Sequence, residues 1–86
     1  MNNRRSKGFQ KDFARLPRKV QYQAIEAYSL FKKNPYHPSL HFKCIVPEEN
    51  IYSVRIGLHY RAVGVRTGDT ILWIFVGSHE DYNNLF

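Results

Sequence analysis

The sequence predicts an α+β domain in which two N-terminal helices pack on one face of a four-stranded, mainly antiparallel sheet. Three observations lead there: apolar residues recur at helical spacing up to residue 33, the period changes to two from Leu40 onward, and the links between the later segments are short enough for hairpins. With 86 residues, 43% of them hydrophobic, the chain reads as a single domain spanning 1–86 around one core. A chain this short buries only about 60% of its unfolded surface.

Phe9, Phe13 and Leu16 share one face of the first helix, and Pro17 stands as the first residue of the second, where its missing N–H matters least. In that second helix Val20, Ala24, Ala27 and Phe31 form an apolar stripe widened by Ile25, Tyr28 and Leu30, while Lys19, Gln23 and Glu26 face outward. Lys32 and Lys33 suit the negative end of the helix dipole, Asn34-Pro35 stops the helix, and residues 34–39 read as a loop. Tyr22, Tyr28 and Tyr36 read as core or loop anchors. Segments 40–46, 51–57, 60–66 and 71–76 read as strands, separated by 47–50, 57–59 and a Gly68-Asp69 turn.

Register follows from the rule that a one-residue slip turns every side chain to the other face. A three-residue turn ending at His59 sets Ile56 opposite Tyr60, Val54 opposite Ala62 and Arg55 opposite Arg61. A two-residue turn would put Arg61 beside Val54 in the core, where an unpaired charge is costly. Carried through the next hairpin, the pairing sets Gly64 opposite Trp73 and Arg61 opposite Val76, and brings Ser78 and His79 toward the arginines.

The formal charge of +6 is uneven: residues 1–43 carry ten Lys/Arg against Asp12 and Glu26, whereas residues 44–86 carry three against five acids. The first half is a candidate polyanion-binding surface, with Lys11, Arg15, Arg18, Lys19 and Lys43 as its contacts. Cys44 cannot pair internally and reads as a small buried hydrophobe. The longest apolar run, 71–76, is too short to span a bilayer, so the expectation is a soluble cytoplasmic protein with no membrane association.

Two arginines directly across a strand pair repel each other, and an anionic ligand between them is the simplest reason for the arrangement. His79 at the rim can exchange a proton near neutrality, and Tyr82 follows it closely. Arg55, Arg61, His79 and Tyr82 therefore form the candidate catalytic group. They suit cleavage of RNA by attack of its 2′-hydroxyl, with the guanidinium groups stabilising charge that develops on the phosphate. His37 and His41 straddle Pro38 and lack a third ligand, so no metal site is expected, and nothing calls for a cofactor. His59 reads as a turn residue that either caps the turn or approaches substrate.

The stretch Phe13-Ala-Arg-Leu-Pro17 with Val20-Gln21, the Asn34-Pro35 helix end, Tyr52-Ser-Val-Arg-Ile56, Tyr60-Arg61 and the late Gly77-Ser-His79 together resemble the RelE/ParE toxin superfamily over nearly the whole chain. The Gly-Ser-His-x-Asp ending is most similar to its YafQ-type branch, in which a histidine at this point takes part in cleavage; His79 matches it. Basic residues on the two middle strands contact the scissile phosphate in RelE-like members, and Arg55 and Arg61 match those. Tyr82-Asn-Asn intervenes before Leu85-Phe86, where that branch runs directly into Leu-Phe. The resemblance implies the toxin of a toxin–antitoxin pair, an mRNA interferase cutting messenger RNA in the ribosomal decoding site and inhibiting translation. Its basic helices would dock on ribosomal RNA, and a cognate antitoxin would silence it. The same fold also implies two alternatives: a ParE-like inhibitor of DNA gyrase that cuts nothing, and an inactive binding module.

Overall fold

A computed structural model describes residues 1–86. Along the chain come β1 (Asn2–Arg5), α1 (Lys7–Arg15), α2 (Arg18–Lys33), β2 (Lys43–Val46), β3 (Ile51–Ile56), β4 (Tyr60–Thr67), β5 (Thr70–Ser78) and α3 (His79–Leu85), with 3-10 turns at Pro38–Leu40 and Pro47–Glu49. The sheet has the order β1-β5-β4-β3-β2. Its last four strands form the expected antiparallel meander, and β1 adds a fifth strand parallel to β5, from Asn2 opposite Thr70 to Arg5 opposite Trp73.

Two elements thus go beyond the expected set, β1 and α3. The Asn-Asn-Arg-Arg sequence of β1 has no apolar row to announce a strand; tertiary bonds hold it, with Trp73 Nε1 donating to Asn3 Oδ1 at 3.0 Å. The other is encoded locally. Ser78 caps α3 by accepting from Asp81 N at 3.1 Å, and Glu80 and Asp81 sit in its first turn, at the positive end of the dipole.

Ser6 caps α1 in the same way, accepting from Phe9 N at 3.0 Å. Pro17 stands one place earlier than expected, as the cap of α2, whose C-terminal cap is Asn34. Val20, Ala24 and Phe31 are buried, but Ile25 is 55% exposed: it points away from the sheet, widening the stripe beyond what the core can cover. Tyr22 is likewise exposed and anchors nothing in the core. Leu40 is buried from the 3-10 turn, and His41, at a positive φ of 48°, breaks the chain direction, so β2 begins only at Lys43. Cys44 is exposed on this edge strand, contrary to the buried position expected.

The core lies between the helices and one sheet face, where Leu16, Val20, Ala24 and Phe31 meet Val54, Ile56, Ala62, Ile71, Trp73 and Val76. Phe31 meets Trp73 and Phe42 edge-on, with ring centroids 5.3 and 5.0 Å apart. The β3–β4 register is the one expected, including Arg55 opposite Arg61. Between β4 and β5 the pairing starts as expected, with Gly64 opposite Trp73, and then shifts: Ile74 is an extra residue, so Val63 faces Phe75 and Arg61 faces Gly77 instead of Val76. The bulge turns Val76 back into the core and sends Phe75 to the outward face. Asp12 of α1 then lies along the free edge of β5, where its Oδ2 accepts from Val76 N at 3.5 Å.

Gly64 lets Ile71 and Trp73 close over β4: an added Cβ would stand 2.8 Å from Ile71 Cγ1 and 3.0 Å from Trp73 Cε3. Gly64→Ala should therefore overpack the core and lower stability by about 1–3 kcal/mol. A urea midpoint equal to that of the parent would show that the sheet yields at this point.

Candidate functional site

The outward face of the sheet, away from α1 and α2, carries Ser53, Arg55, Arg61, Val63, Phe75 and Gly77 by strand parity. α3 folds back over part of it through a Phe75–Phe86 ring contact at 5.7 Å. The first residue of α3 is pinned to the neighbouring turn, since His79 N donates to the carbonyl of His59 at 2.6 Å. This bond sets the histidine ring beside β4.

Three of the four candidate catalytic residues meet here. Arg61 Nε donates to His79 Nδ1 at 3.2 Å, the Arg61 guanidinium carbon lies 5.2 Å from the centre of the Tyr82 ring, and the His79 and Tyr82 rings stack at 5.9 Å. Arg55 stands opposite Arg61 in register, but its Nε donates to the carbonyl of Gly57 at 2.9 Å. Its side chain lines a groove with Gln23, Glu26, Ser39 and His41. The two guanidinium groups therefore turn to different neighbours, which relieves the repulsion their backbone register would impose. Neither has a carboxylate partner; the salt bridge present joins the Met1 amino group to Asp69 at 3.8 Å.

Arg61 Nη1 is buried without a hydrogen-bond partner, and so is Ser53 Oγ on the same face. An unpaired buried donor is destabilising, so the arginine is held in a position that folding alone does not favour. With Nδ1 accepting from Arg61, the neutral His79 ring carries its own proton on Nε2. The ring and Tyr82 form a partly exposed wall beside a guanidinium with donors to spare: a site for an anionic oxygen next to a proton-transfer group.

Lys11, Arg15, Arg18 and Lys19 are all exposed, on α1 and the first turn of α2. Arg15 also lines a cleft with Tyr60, Gly77, Ser78 and Asp81, so the basic helices and the start of α3 share a rim. Lys43 does not join them. It sits exposed on β2 at the opposite edge of the sheet. His59 is exposed in the turn and enters through its carbonyl. Two contributors escaped the sequence reading: Gly77, which leaves Arg61 without a side chain opposite it, and Asp12. The Ser78-x-x-Asp81 cap could have revealed α3, whereas the position of Gly77 depends on the bulge.

The fold is a small α+β one with three helices and a five-stranded mixed sheet. The chain belongs to the ParE-like toxin domain family, whose model matches residues 18–84. No curated protein matches it in sequence. Among solved structures it is similar to the RelB-RelE antitoxin-toxin complex of Methanococcus jannaschii, at 23% identity and a TM-score of 0.77 over 96% of this chain and 98% of that one. It is also similar to YafQ of Escherichia coli, at 13% identity and a TM-score of 0.73 over 94% and 96% of the two chains. A third is the archaeal RelE-RelB complex of Pyrococcus horikoshii, at 15% identity and a TM-score of 0.71 over 90% and 92%. At such identities the likeness is one of fold.

Because one Arg61 donor is buried and unpaired, Arg61→Gln should leave the anion-free protein equally stable or slightly more stable to urea. Added sulfate should stabilise the parent more than the variant. A strong loss of stability without sulfate would make Arg61 a structural residue and remove it from the site.

Proposed function

We propose that the protein is the toxin of a toxin–antitoxin pair and acts as a ribosome-dependent endoribonuclease that cuts messenger RNA in the decoding site. The observation that carries this reading is the 3.2 Å bond from Arg61 Nε to His79 Nδ1. The bond joins a cation able to bind phosphate to a ring able to transfer a proton, a pairing suited to phosphodiester cleavage. The 2′-oxygen attacks phosphorus, the bond to the 5′-oxygen breaks, and the products are a 2′,3′-cyclic phosphate and a 5′-hydroxyl. Solvent water accepts the 2′-hydroxyl proton as the nucleophile attacks, and the departing 5′-oxygen takes one up. His79 supplies the proton to the leaving group, and Arg61 stabilises the charge on the non-bridging oxygens.

The two roles are coupled. A phosphate oxygen is a stronger acceptor for a guanidinium than a neutral ring nitrogen is, so substrate draws Arg61 off Nδ1. That nitrogen is then free to take a proton, and the ring becomes a cation able to donate from Nε2. Tyr82, stacked on the ring, holds its plane. Arg55 contacts the phosphate chain from the groove it lines, and Lys11, Arg15, Arg18 and Lys19 dock on ribosomal RNA. An antitoxin is the expected partner, as in the antitoxin-toxin complexes to which the fold is similar.

A second reading, inhibition of DNA gyrase without cleavage, draws on the ParE-like family model and on the divergence of the two guanidinium groups. Parallel measurement of radiolabelled methionine and thymidine incorporation after induction separates the two. Rapid loss of protein synthesis is expected, and loss of DNA synthesis first would favour gyrase.

Two further outcomes are expected. His79→Ala should slow single-turnover cleavage on programmed ribosomes by about 10²–10⁴-fold while leaving ribosome and antitoxin binding largely intact; unchanged cleavage would deny His79 a catalytic role. Replacing Lys11, Arg15, Arg18 and Lys19 together with glutamine should weaken ribosome binding and flatten the dependence of log affinity on log salt. An unchanged slope would reduce these residues to a solvated face.

A further inference from the structure

At the end of the domain remote from His79, Tyr36 projects from the loop after α2 with 65% of its surface exposed. Its placement is fixed from several sides. Its backbone N–H donates to Asn34 Oδ1 at 3.2 Å, its hydroxyl accepts from Arg66 Nη1 at 3.4 Å, and its ring lies 5.7 Å from that of Phe42. Phe42 in turn stacks on Tyr52 at 4.9 Å and meets the core ring of Phe31 edge-on. The exposed ring is thus tied through Phe42 to the most buried aromatic of the protein, so ordering it on binding carries little entropic penalty.

Arg66 completes the arrangement. Its guanidinium lies 5.5 Å from the centre of the Tyr52 ring and has no carboxylate partner. The Tyr36 hydroxyl pushes its pKa above the already high ordinary value, so it remains a cation. Lys32 and Lys33 in the last turn of α2 and Lys43 on the edge strand add further exposed positive charge at this end. A flat exposed ring with an unpaired cation at its hydroxyl matches the repeating unit of a single-stranded nucleic acid, a base to stack and a phosphate to neutralise. An acidic protein segment would use the cations but has no need of a rigid ring.

We infer that Tyr36 and Arg66 form a second nucleic-acid subsite, in which a base of single-stranded RNA stacks on Tyr36 and its phosphate pairs with Arg66. Choosing RNA over other single strands rests on the function proposed above. The subsite is distinct from the Arg61–His79 site: Arg66 stands five residues along β4 from Arg61 and on the other face, about 17 Å away along the strand. RNA held here would lie outside the cleaved step and help to fix its register.

The test measures binding of a short fluorescein-labelled oligouridylate by anisotropy, on the full chain carrying His79→Ala so that cleavage plays no part. Base–aromatic stacking of about 1–3 kcal/mol corresponds to roughly a 5- to 150-fold loss of affinity for Tyr36→Leu. Tyr36→Phe, which keeps the ring, should stay within about threefold of the parent. Arg66→Gln should reduce the slope of log affinity against log salt by about 0.7. An abasic oligomer should bind without regard to Tyr36, and a 4-thiouridine oligomer should photocrosslink to Tyr36 in the unsubstituted chain. Equal affinity of Tyr36→Leu and parent, or absence of the crosslink, overturns the inference. So does Tyr36-dependent binding of polyglutamate without binding of the oligouridylate, which would make the surface a protein-docking face. None of these readings needs cleavage, so a chain that cuts no message can still pass, and one that cuts it can still fail.

Discussion

The three-residue turn from Gly57 to His59 decides which side chains of β3 and β4 face the helices and which face outward. Gly57 takes a φ of +58°, in the left-handed region that favours glycine. The turn closes with Ile56 opposite Tyr60, and every pair beyond inherits that parity. Val54 and Ala62 enter the core, while Arg55 and Arg61 leave it. The carbonyl of His59 then receives the N–H of His79, so the segment that orients Arg61 also anchors its partner. Core and candidate site share one constraint, and a slip of one residue would lose both.

That parity was legible because only one choice keeps Arg61 out of an apolar layer. The next hairpin was legible only as far as Gly64. There the cross-strand pairing of Gly64 with Trp73 uses a missing side chain to fit a large one, and the extra residue, Ile74, follows directly. Nothing in the apolar run 71–76 marks one residue as the bulge, since any phase leaves hydrophobic side chains on both faces. Its consequence is local but important: Val76 returns to the core and Gly77 comes to lie opposite Arg61. The turn of Arg55 toward Gly57 was beyond reach for another reason, because head-group direction depends on the carbonyls and side chains a long arginine meets. β1 was equally hidden, as its hold on the sheet comes from backbone pairing with β5 and from the bond of Trp73 to Asn3, not from an apolar row of its own.

Charge and fold are arranged in layers. Most of the cations of residues 1–43 ride on α1 and α2, on the side of the sheet away from Arg61. The layers meet where Arg15 approaches Gly77, Ser78 and Asp81. A polyanion steered by the helices would reach the start of α3 at this rim before any other part of the outward face. The Asp12 bond to Val76 N helps to hold α1 against β5 there. An acid in a basic segment thus serves to position it.

α3 has seven residues, fewer than an isolated helix needs, and it exposes Leu85 and Phe86. Its place therefore depends on tertiary bonds, and these are concentrated at its beginning. Ser78 caps it, His79 N is held by the turn, and His79 Nδ1 is held by Arg61. Beyond that first turn come weaker aromatic contacts, from Tyr82 to Arg61 and from Phe86 to Phe75 and Tyr82. Local stability should fall along the helix from His79 to Phe86. The histidine, which in the proposed cleavage would meet a phosphate within hydrogen-bond reach, thus occupies the most constrained position of the helix, and Tyr82 stacks on its ring one turn further on.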